Sequence, residues 1–161
     1  AYPVWAFVEI ITLGRFVDFY GFCAKRFADR DMMDNYYNLL TCKKIRNASA
    51  HNNCILNDLK ARTSTNVTNA SITAKLMTIQ GMNMNFRKNR MSNARIQQIV
   101  ILFYLHKTMV ESDGIRKAAE DELQKLMGRV NKHQEYYLSN SMISSTFNFL
   151  KLVVDNWFKT A

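Results

Sequence analysis

Proline and glycine are scarce in this sequence, and their scarcity limits the possible folds more than any other feature. The chain of 161 residues contains one Pro and five Gly. A β-sandwich or β-barrel needs a tight turn roughly every ten residues, and such turns depend on these two residue types. Apolar segments of helical length run between the few turn signals. We therefore predict an all-α fold without a sheet.

The chain is long and apolar enough to form one domain. Hydrophobic residues make up 48% of the sequence and aromatic residues 12%, which suffices for a packed core. Because no Pro- or Gly-rich linker divides the sequence, we predict a single domain over residues 1–161. The sequence starts at Ala1, without an initiator Met, and is apolar at once. We therefore expect a fragment that lacks an N-terminal segment.

The charge balance and the cysteines indicate partners and compartment. The net charge of +9 at pH 7 makes nucleic acid a candidate partner. Cys23, Cys42 and Cys54 are odd in number and match no zinc or redox spacing, as is typical of a chain in a reducing cytoplasm. The sequence predicts neither a metal site nor a cofactor.

The first apolar segment, residues 3–27, predicts a helix that is apolar on nearly all sides and lies at the centre of the fold. Pro3 suits the first turn of such a helix. Glu9, Arg15 and Asp18 interrupt the segment, and each costs about 2.5 to 3.5 kcal/mol near the centre of a bilayer. We therefore predict a buried helix of a soluble domain and no contact with a membrane.

A second helix is predicted over residues 35–56, after an acidic start signal at Asp31 and Asp34. Four of its residues share an arc of roughly 120° and should be buried: Leu39, Cys42, Ile45 and Ser49. Residues 57–95 are rich in Asn, Ser and Thr, and they predict long loops with one short helix at residues 72–80.

Three more helices are predicted in the C-terminal part, over residues 94–111, 115–133 and 146–159. Short polar side chains before each helix are candidate N-caps: Ser92 for the first, Asp113 for the second, and Ser144 or Ser145 for the third.

One group of polar residues carries candidate chemistry, namely Arg46, Asn47 and His51 near the end of the second predicted helix. A metal-free ribonuclease needs a general base for the 2′-hydroxyl, a general acid for the leaving oxygen and a cation for the phosphate. His and Arg supply these groups. On an ideal helix Asn47 and His51 share a face, whereas Arg46 and His51 are roughly 140° apart. Either the helix ends early or a second subunit contributes.

These residues resemble the HEPN superfamily, whose signature is Arg, a polar residue that is often Asn, a few more residues and then His. More narrowly, residues 3–58 resemble the Abi-like family of phage abortive-infection proteins. That family has a Pro- and aromatic-rich helix that carries a Glu, followed by Arg-Asn, Ala-His and a later Asn. The matching residues in this sequence are Glu9, Arg46, Asn47, Ala50, His51 and Asn57.

The resemblance implies an all-α, HEPN-like helical bundle with metal-independent endoribonuclease activity of a phage-defence or toxin type. It also implies a homodimer that brings two motifs to one cleft. His51 would be the general acid or base, and Arg46 would stabilise the transition state. Asn47 would bind phosphate or orient His51, Glu9 would hold Arg46, and Asn57 would support the site.

Structural roles for the same residues are the alternative. Arg46 lies at the edge of the apolar arc and would pair with Glu9 or Asp18. His51 would satisfy carbonyl groups at a helix C-terminus. The chain would then be a catalytically silent helical module that dimerises and binds RNA or a protein partner. A third possibility is a toxin that a cognate antitoxin or a regulatory RNA neutralises. His51 with Cys54 is at most half of a metal site.

Most of the net positive charge lies in residues 57–95, which contain seven basic residues and one acidic residue. This segment directly follows the motif, and we predict that it binds RNA. The candidate contacts are Arg87, Lys88, Arg90 and Arg95, with Phe86 available to stack on a base. A solvated loop whose charge serves only solubility is the alternative.

Overall fold

The computed structural model describes residues 3–158, and these residues contain eight α-helices, one short 3-10 helix and no strand. The predicted all-α fold is therefore confirmed. The α-helices run in the following order: α1 Val4–Ile10, α2 Leu13–Arg26, α3 Arg30–Ala50, α4 Ala70–Met77, α5 Met84–Met91, α6 Ala94–Met109, α7 Asp113–Lys132 and α8 Ser141–Trp157. The 3-10 helix spans Gln134–Tyr136. The chain divides into two compact units, residues 1–53 and 54–161, and each is described by itself.

In the first unit, the single helix expected over residues 3–27 is wrong, because the chain is extended at Ile11 and Thr12. The Thr12 hydroxyl accepts a hydrogen bond from the Arg15 amide, and this cap starts α2. The expected central burial is also wrong. Helix α1 buries no residue, and the Trp5 side chain is 66% exposed.

Helices α2 and α3 pack against each other around small residues. A Cβ atom on Gly21 of α2 would lie 2.5 Å from the Tyr36 ring of α3, so this close approach requires glycine. Cys42 and Ile45 are buried as predicted, and Leu39 is half-buried. Ser49 is exposed, and its predicted burial is wrong. Helix α3 begins at Arg30 after the Asp29 cap and ends at Ala50, six residues before Leu56.

In the second unit, α4 to α8 surround a core of aliphatic and aromatic side chains. Its fully buried members include Ile72, Leu76, Val100, Phe149 and Val153. Helix α4 confirms the short helix predicted near residues 72–80. Helix α5 lies where the sequence predicted only loop.

The irregular segment over residues 58–68 is held by two buried amide side chains, one from Asn93, which precedes α6, and one from Gln97 in its first turn. Asn93 Nδ2 donates to the carbonyl oxygens of Asp58 and Lys60, 2.9 and 2.8 Å away. Gln97 Nε2 donates to the carbonyl oxygen of Asn66 and the hydroxyl of Thr68. These bonds replace regular secondary structure as partners for this part of the backbone.

The predicted caps are wrong by one to five positions. Asn93 caps α6, and Ser92 instead accepts a hydrogen bond from the Arg62 amide. Asn140 caps α8, so Ser144 and Ser145 lie inside that helix. Asp113 is the first residue of α7, and Ser112 occupies the cap position without a side-chain hydrogen bond.

Among residues 3–158, no helix combines the length and the apolar character that a membrane span requires.

Candidate functional site

Helix α3 ends immediately before His51, and the turn that ends it is a Schellman motif. The Asn52 amide donates to the Ser49 carbonyl, and the Asn53 amide donates to the Ala48 carbonyl, 2.9 Å away. Asn52 has a positive φ of 52°, which Asn tolerates better than most residues. His51 is therefore the C-cap residue, and its side chain is exposed. The helix ends early, which was one of the two possibilities that the motif spacing left open.

Arg46 and Asn47 lie on the last turn and a half of the same helix. Arg46 Nη1 donates to Asn47 Oδ1 at 3.2 Å, and the Arg46 side chain is exposed. The His51 amide donates to the Asn47 carbonyl at 3.1 Å. Asn47 thus contacts Arg46 through its side chain and His51 through its backbone. We call these three residues, which lie within six positions at the C-terminal end of α3, the polar cluster.

Of the two supporting residues, Glu9 makes no ion pair with this cluster in the described structure. No ion pair within 4.0 Å links Arg46 to Glu9 or to Asp18 among the described side chains. Arg46 therefore forms neither the predicted ion pair with Glu9 nor the alternative one with Asp18 in the described structure. Asn57 belongs to the second unit and is exposed.

The four candidate RNA contacts have different environments in the second unit. Arg87 is only 8% exposed, and Lys88 is exposed. Arg90 Nη1 donates to Thr146 Oγ1 and to the Met142 carbonyl of α8, and burial lowers the pKa of its guanidinium group. Arg95 Nη1 donates to Gln98 Oε1 at 3.1 Å. The expectation that these are charges on an exposed loop is wrong, because α5 and α6 carry them.

Phe86, expected to be free for stacking, packs edge-to-face on the core residue Phe149 at a centroid distance of 5.6 Å. Its ring therefore serves the packing of α5 on α8. Of the predicted RNA-binding group, Lys88 keeps the most exposed charge. Contact with RNA stays a prediction for these residues.

Among the described residues, neither the buried Cys42 thiol nor a group of metal-ligand side chains provides a second reactive centre. The three thiols are free, and burial raises the pKa of Cys42 to about 12. A thiol with this pKa is protonated at neutral pH and unreactive. Within residues 3–158, no three side chains of His, Cys, Asp or Glu are grouped in a way that could hold a metal ion.

One cluster was missed by the sequence analysis. His106 and Lys107 at the end of α6 lie beside Arg116 and Lys117 at the start of α7, next to Trp157. Cations on both sides of the short 110–112 connection were the available signal.

Comparisons of the chain with protein-family models, curated proteins and solved structures find no match. The likeness to the Abi-like family therefore rests on the residues matched in the sequence, namely Glu9, Arg46, Asn47, Ala50, His51 and Asn57.

Proposed function

We propose that the chain is a metal-independent endoribonuclease of the phage-defence or toxin type. The observation that carries this proposal is the exposure of the Arg46 and His51 side chains, with half-buried Asn47 between them in sequence, where the Schellman motif ends α3. Exposure matters, because a group that transfers a proton must reach the scissile phosphodiester. The resemblance to the HEPN motif assigns the chemistry to these residue types.

In this proposal His51 transfers the proton. As general base it removes the 2′-hydroxyl proton, and the 2′-oxygen attacks phosphorus. The 5′-oxygen leaves and takes a proton from a general acid, and the product is a 2′,3′-cyclic phosphate. Arg46 stabilises the charge that develops on the phosphoryl oxygens, and Asn47 holds the Arg46 guanidinium through its Oδ1 atom.

Each chain supplies one histidine to this motif, whereas the reaction uses both an acid and a base. A homodimer whose two-fold axis passes close to His51 would bring a second His51 to the same phosphodiester. The dimer is part of the proposal, and sedimentation at tens of micromolar tests it. A protein that stays monomeric there and still cleaves RNA contradicts this part.

The direct test is cleavage of single-stranded RNA in EDTA, with the cyclic phosphate identified by mass spectrometry. His51→Ala and Arg46→Ala should each lose at least about 100-fold in rate, the usual size of a general acid–base contribution. His133→Ala is the matched control, because His133 is exposed at the end of α7 in the second unit. Cleavage that requires Mg²⁺, or normal cleavage by either motif variant, contradicts the proposal.

Mixing the two inactive variants tests whether both histidines act at one phosphodiester. Their mixed dimer keeps one Arg46 and one His51. If the reaction uses His51 of both chains as acid and base, the mixed dimer lacks one of these groups and stays inactive. Recovered activity would show that Arg46 of one chain and His51 of the other suffice, and it would contradict the role of the second His51.

A catalytically silent binding module is the second candidate. The large apolar side chains on the surface of α1 favour it, since Val4 and Ile10 are both 79% exposed and Trp5 is 66% exposed. Such a surface is typical of protein interaction sites. This candidate predicts unchanged RNA in the cleavage assay for wild type and variants alike.

A further inference from the structure

A cleft in the second unit lies between the end of α6, the start of α7 and the end of α8. Its volume is about 360 Å³, which is within the range of small-molecule pockets. Six of its lining residues are cationic, imidazole or aromatic: His106, Lys107, Arg116, Lys117, Trp157 and Phe158. None of them belongs to the Arg46 and His51 motif.

One wall of the cleft is aromatic and rigid. Trp157 and Phe158 are 3% and 5% exposed, and the His106 ring packs on Phe158 at a centroid distance of 5.7 Å. Tyr104 supports the Trp157 ring from within the unit at 6.3 Å. The Trp157 Nε1 atom is buried and finds no hydrogen-bond acceptor among residues 3–158. Trp157 and Phe158 therefore back the cleft, and the half-buried His106 ring is the aromatic surface available to a base, whose stacking contributes about 1–3 kcal/mol.

Cations concentrate around the same wall. Burial lowers the pKa of His106, and the nearby charges of Arg116 and Lys107 lower it further. Lys75 Nζ lies 5.9 Å from the centre of the Trp157 ring, and its pKa is lowered by burial and then by Lys107. These like charges repel one another, so an anion bound among them would be favoured.

The acidic residues of the cleft only partly offset this charge. Asp113 lies 3.9 Å from Arg116, and its side chain is 99% exposed to solvent. Glu120 also lines the cleft. Lys117 pairs with Asp121 at 3.2 Å. Together with Lys75 behind the aromatic wall, the cleft therefore has four cationic side chains and the imidazole of His106. Three carboxylates oppose them, those of Asp113, Glu120 and Asp121.

We propose that this cleft binds a nucleoside monophosphate, with the base against the His106 ring and the phosphate beside Lys107 and Arg116. A planar ring next to clustered cations matches a ligand that joins a flat ring to an anion. Arg binds phosphate through paired N–H donors, and Lys adds a compact charge. The proposal does not depend on the ribonuclease function, because the motif residues lie in the other unit.

Two sources can supply this chemistry, namely a free nucleotide and the 5′-phosphorylated end of an RNA. AMP and a 5′-phosphorylated dinucleotide that begins with adenosine distinguish them. A free nucleotide is the ligand if AMP binds at least as tightly as the dinucleotide. An RNA end is the ligand if the dinucleotide binds more tightly and loses that advantage when its 5′-phosphate is removed.

Fluorescence of Trp157 measures the binding. The chain has two tryptophans and seven tyrosines, so the full-length Trp5→Phe variant leaves Trp157 as the only emitter when the excitation wavelength is one that tyrosine does not absorb. AMP should quench its emission in a saturable way, whereas adenosine and inorganic phosphate should each bind at least about tenfold more weakly, a difference of about 1.4 kcal/mol. In the same protein, NMR should show the pKa of His106 rising on addition of AMP, because a bound anion stabilises the imidazolium form.

A matched pair of double variants locates the site. Lys107→Gln with Arg116→Gln removes two charges from the cleft, and AMP affinity should fall at least about tenfold. Lys125→Gln with Lys132→Gln removes the same charge from exposed positions further along α7 and should leave the affinity unchanged. Equal affinities in the two double variants would overturn the proposal. So would inorganic phosphate binding as tightly as AMP, or no saturable quenching by either nucleotide probe.

Discussion

The guanidinium group of Arg90 on α5 donates a hydrogen bond to the hydroxyl of Thr146 on α8, with Nη1 and Oγ1 3.0 Å apart. Thr146 is fully buried. The contact therefore joins a cationic side chain from the most basic segment of the sequence to the core of the second unit. Because of this contact, a substitution at Arg90 should affect the stability of the fold as well as the charge of its surface.

Replacing Arg90 with Ala should destabilise the protein, whereas replacing Lys88 should not. Loss of the Arg90 contact leaves the buried Thr146 hydroxyl without this donor, and a hydrogen bond to a charged group contributes about 1.5–3 kcal/mol. Lys88 is exposed on the same helix, and Lys88→Ala should change the free energy of unfolding by less than about 0.5 kcal/mol. Urea unfolding monitored by circular dichroism measures both. Equal effects would contradict a structural role for Arg90.

Asn93→Ala should be among the most destabilising polar substitutions in the second unit. Asn93 caps α6 through its Oδ1 atom and holds the Asp58 and Lys60 carbonyls through its Nδ2 atom. We expect a loss of about 2–4 kcal/mol from the cap and the buried hydrogen bonds together. Asn83→Ala is the control, since Asn83 only caps α5, and it should cost about 1 kcal/mol. Chemical unfolding of both variants provides the comparison.

The two glycines of α2 should respond to alanine in opposite directions. At Gly21 a methyl group would collide with the Tyr36 ring, and displacing this ring should cost about 1–3 kcal/mol. At Gly14 the nearest atom is the flexible end of Lys43, 3.0 Å away, and the higher helix propensity of Ala should stabilise by up to about 1 kcal/mol. Thermal unfolding of the two variants measures both changes in stability. A stabilised Gly21→Ala protein would show that α2 and α3 do not pack this closely.

Glycine at position 28 should stabilise the first unit. Ala28 ends α2 in a left-handed conformation with φ 51°, which Ala adopts at a cost of about 1–2 kcal/mol. Removing this cost stabilises the fold, but the greater freedom of Gly in the unfolded chain offsets part of the effect. Ala28→Gly should therefore raise the free energy of unfolding by about 0.5–1 kcal/mol. Asn52→Gly, at nearly the same φ, should gain less because Asn tolerates this region. Denaturant midpoints of the two variants test the difference.

Acidification should destabilise the wild type more than the His106→Gln variant. Burial, Arg116 and Lys107 all lower the pKa of His106 in the folded protein. Because the folded pKa is depressed, the stability linked to neutral His106 is complete above the unfolded pKa of about 6.5 and is lost as the pH falls toward the folded pKa. Unfolding free energies measured from about pH 7.5 down to about pH 5 should diverge between the two proteins. Parallel curves would contradict the cationic environment.

The helices could be predicted where the apolar pattern is strong and long. Val100, Val153 and Phe149 lie on such patterns, and their helices formed as expected. The break at Thr12 was missed because hydropathy does not distinguish a β-branched helical residue from a capping one. Helix α5 was missed because the Asn83 cap and the buried Arg87 both look like loop residues in a polar segment. In each case a tertiary or capping contact outweighed the local pattern.

For the candidate site, the spacing of the motif left two arrangements open. The roughly 140° between Arg46 and His51 on an ideal helix required an early end or a second subunit. The early end depends on the positive φ of Asn52 and on the amides of Asn52 and Asn53, which bond back to α3. The run of Asn52 and Asn53 after His51 was the available signal, since Asn commonly ends helices in this conformation.

The buried thiol of Cys42 allows the opening of the first unit to be timed. Cys54, at the first position of the second unit, is exposed and should react with an alkylating reagent at once. Cys42 is protected by the packing of α3 and by its raised pKa, so its modification in native buffer requires that packing to open. The rate of its labelling therefore gives the free energy of this opening. Compared with the free energy of global unfolding, that value tells whether α2 and α3 separate on their own or only when the whole chain unfolds.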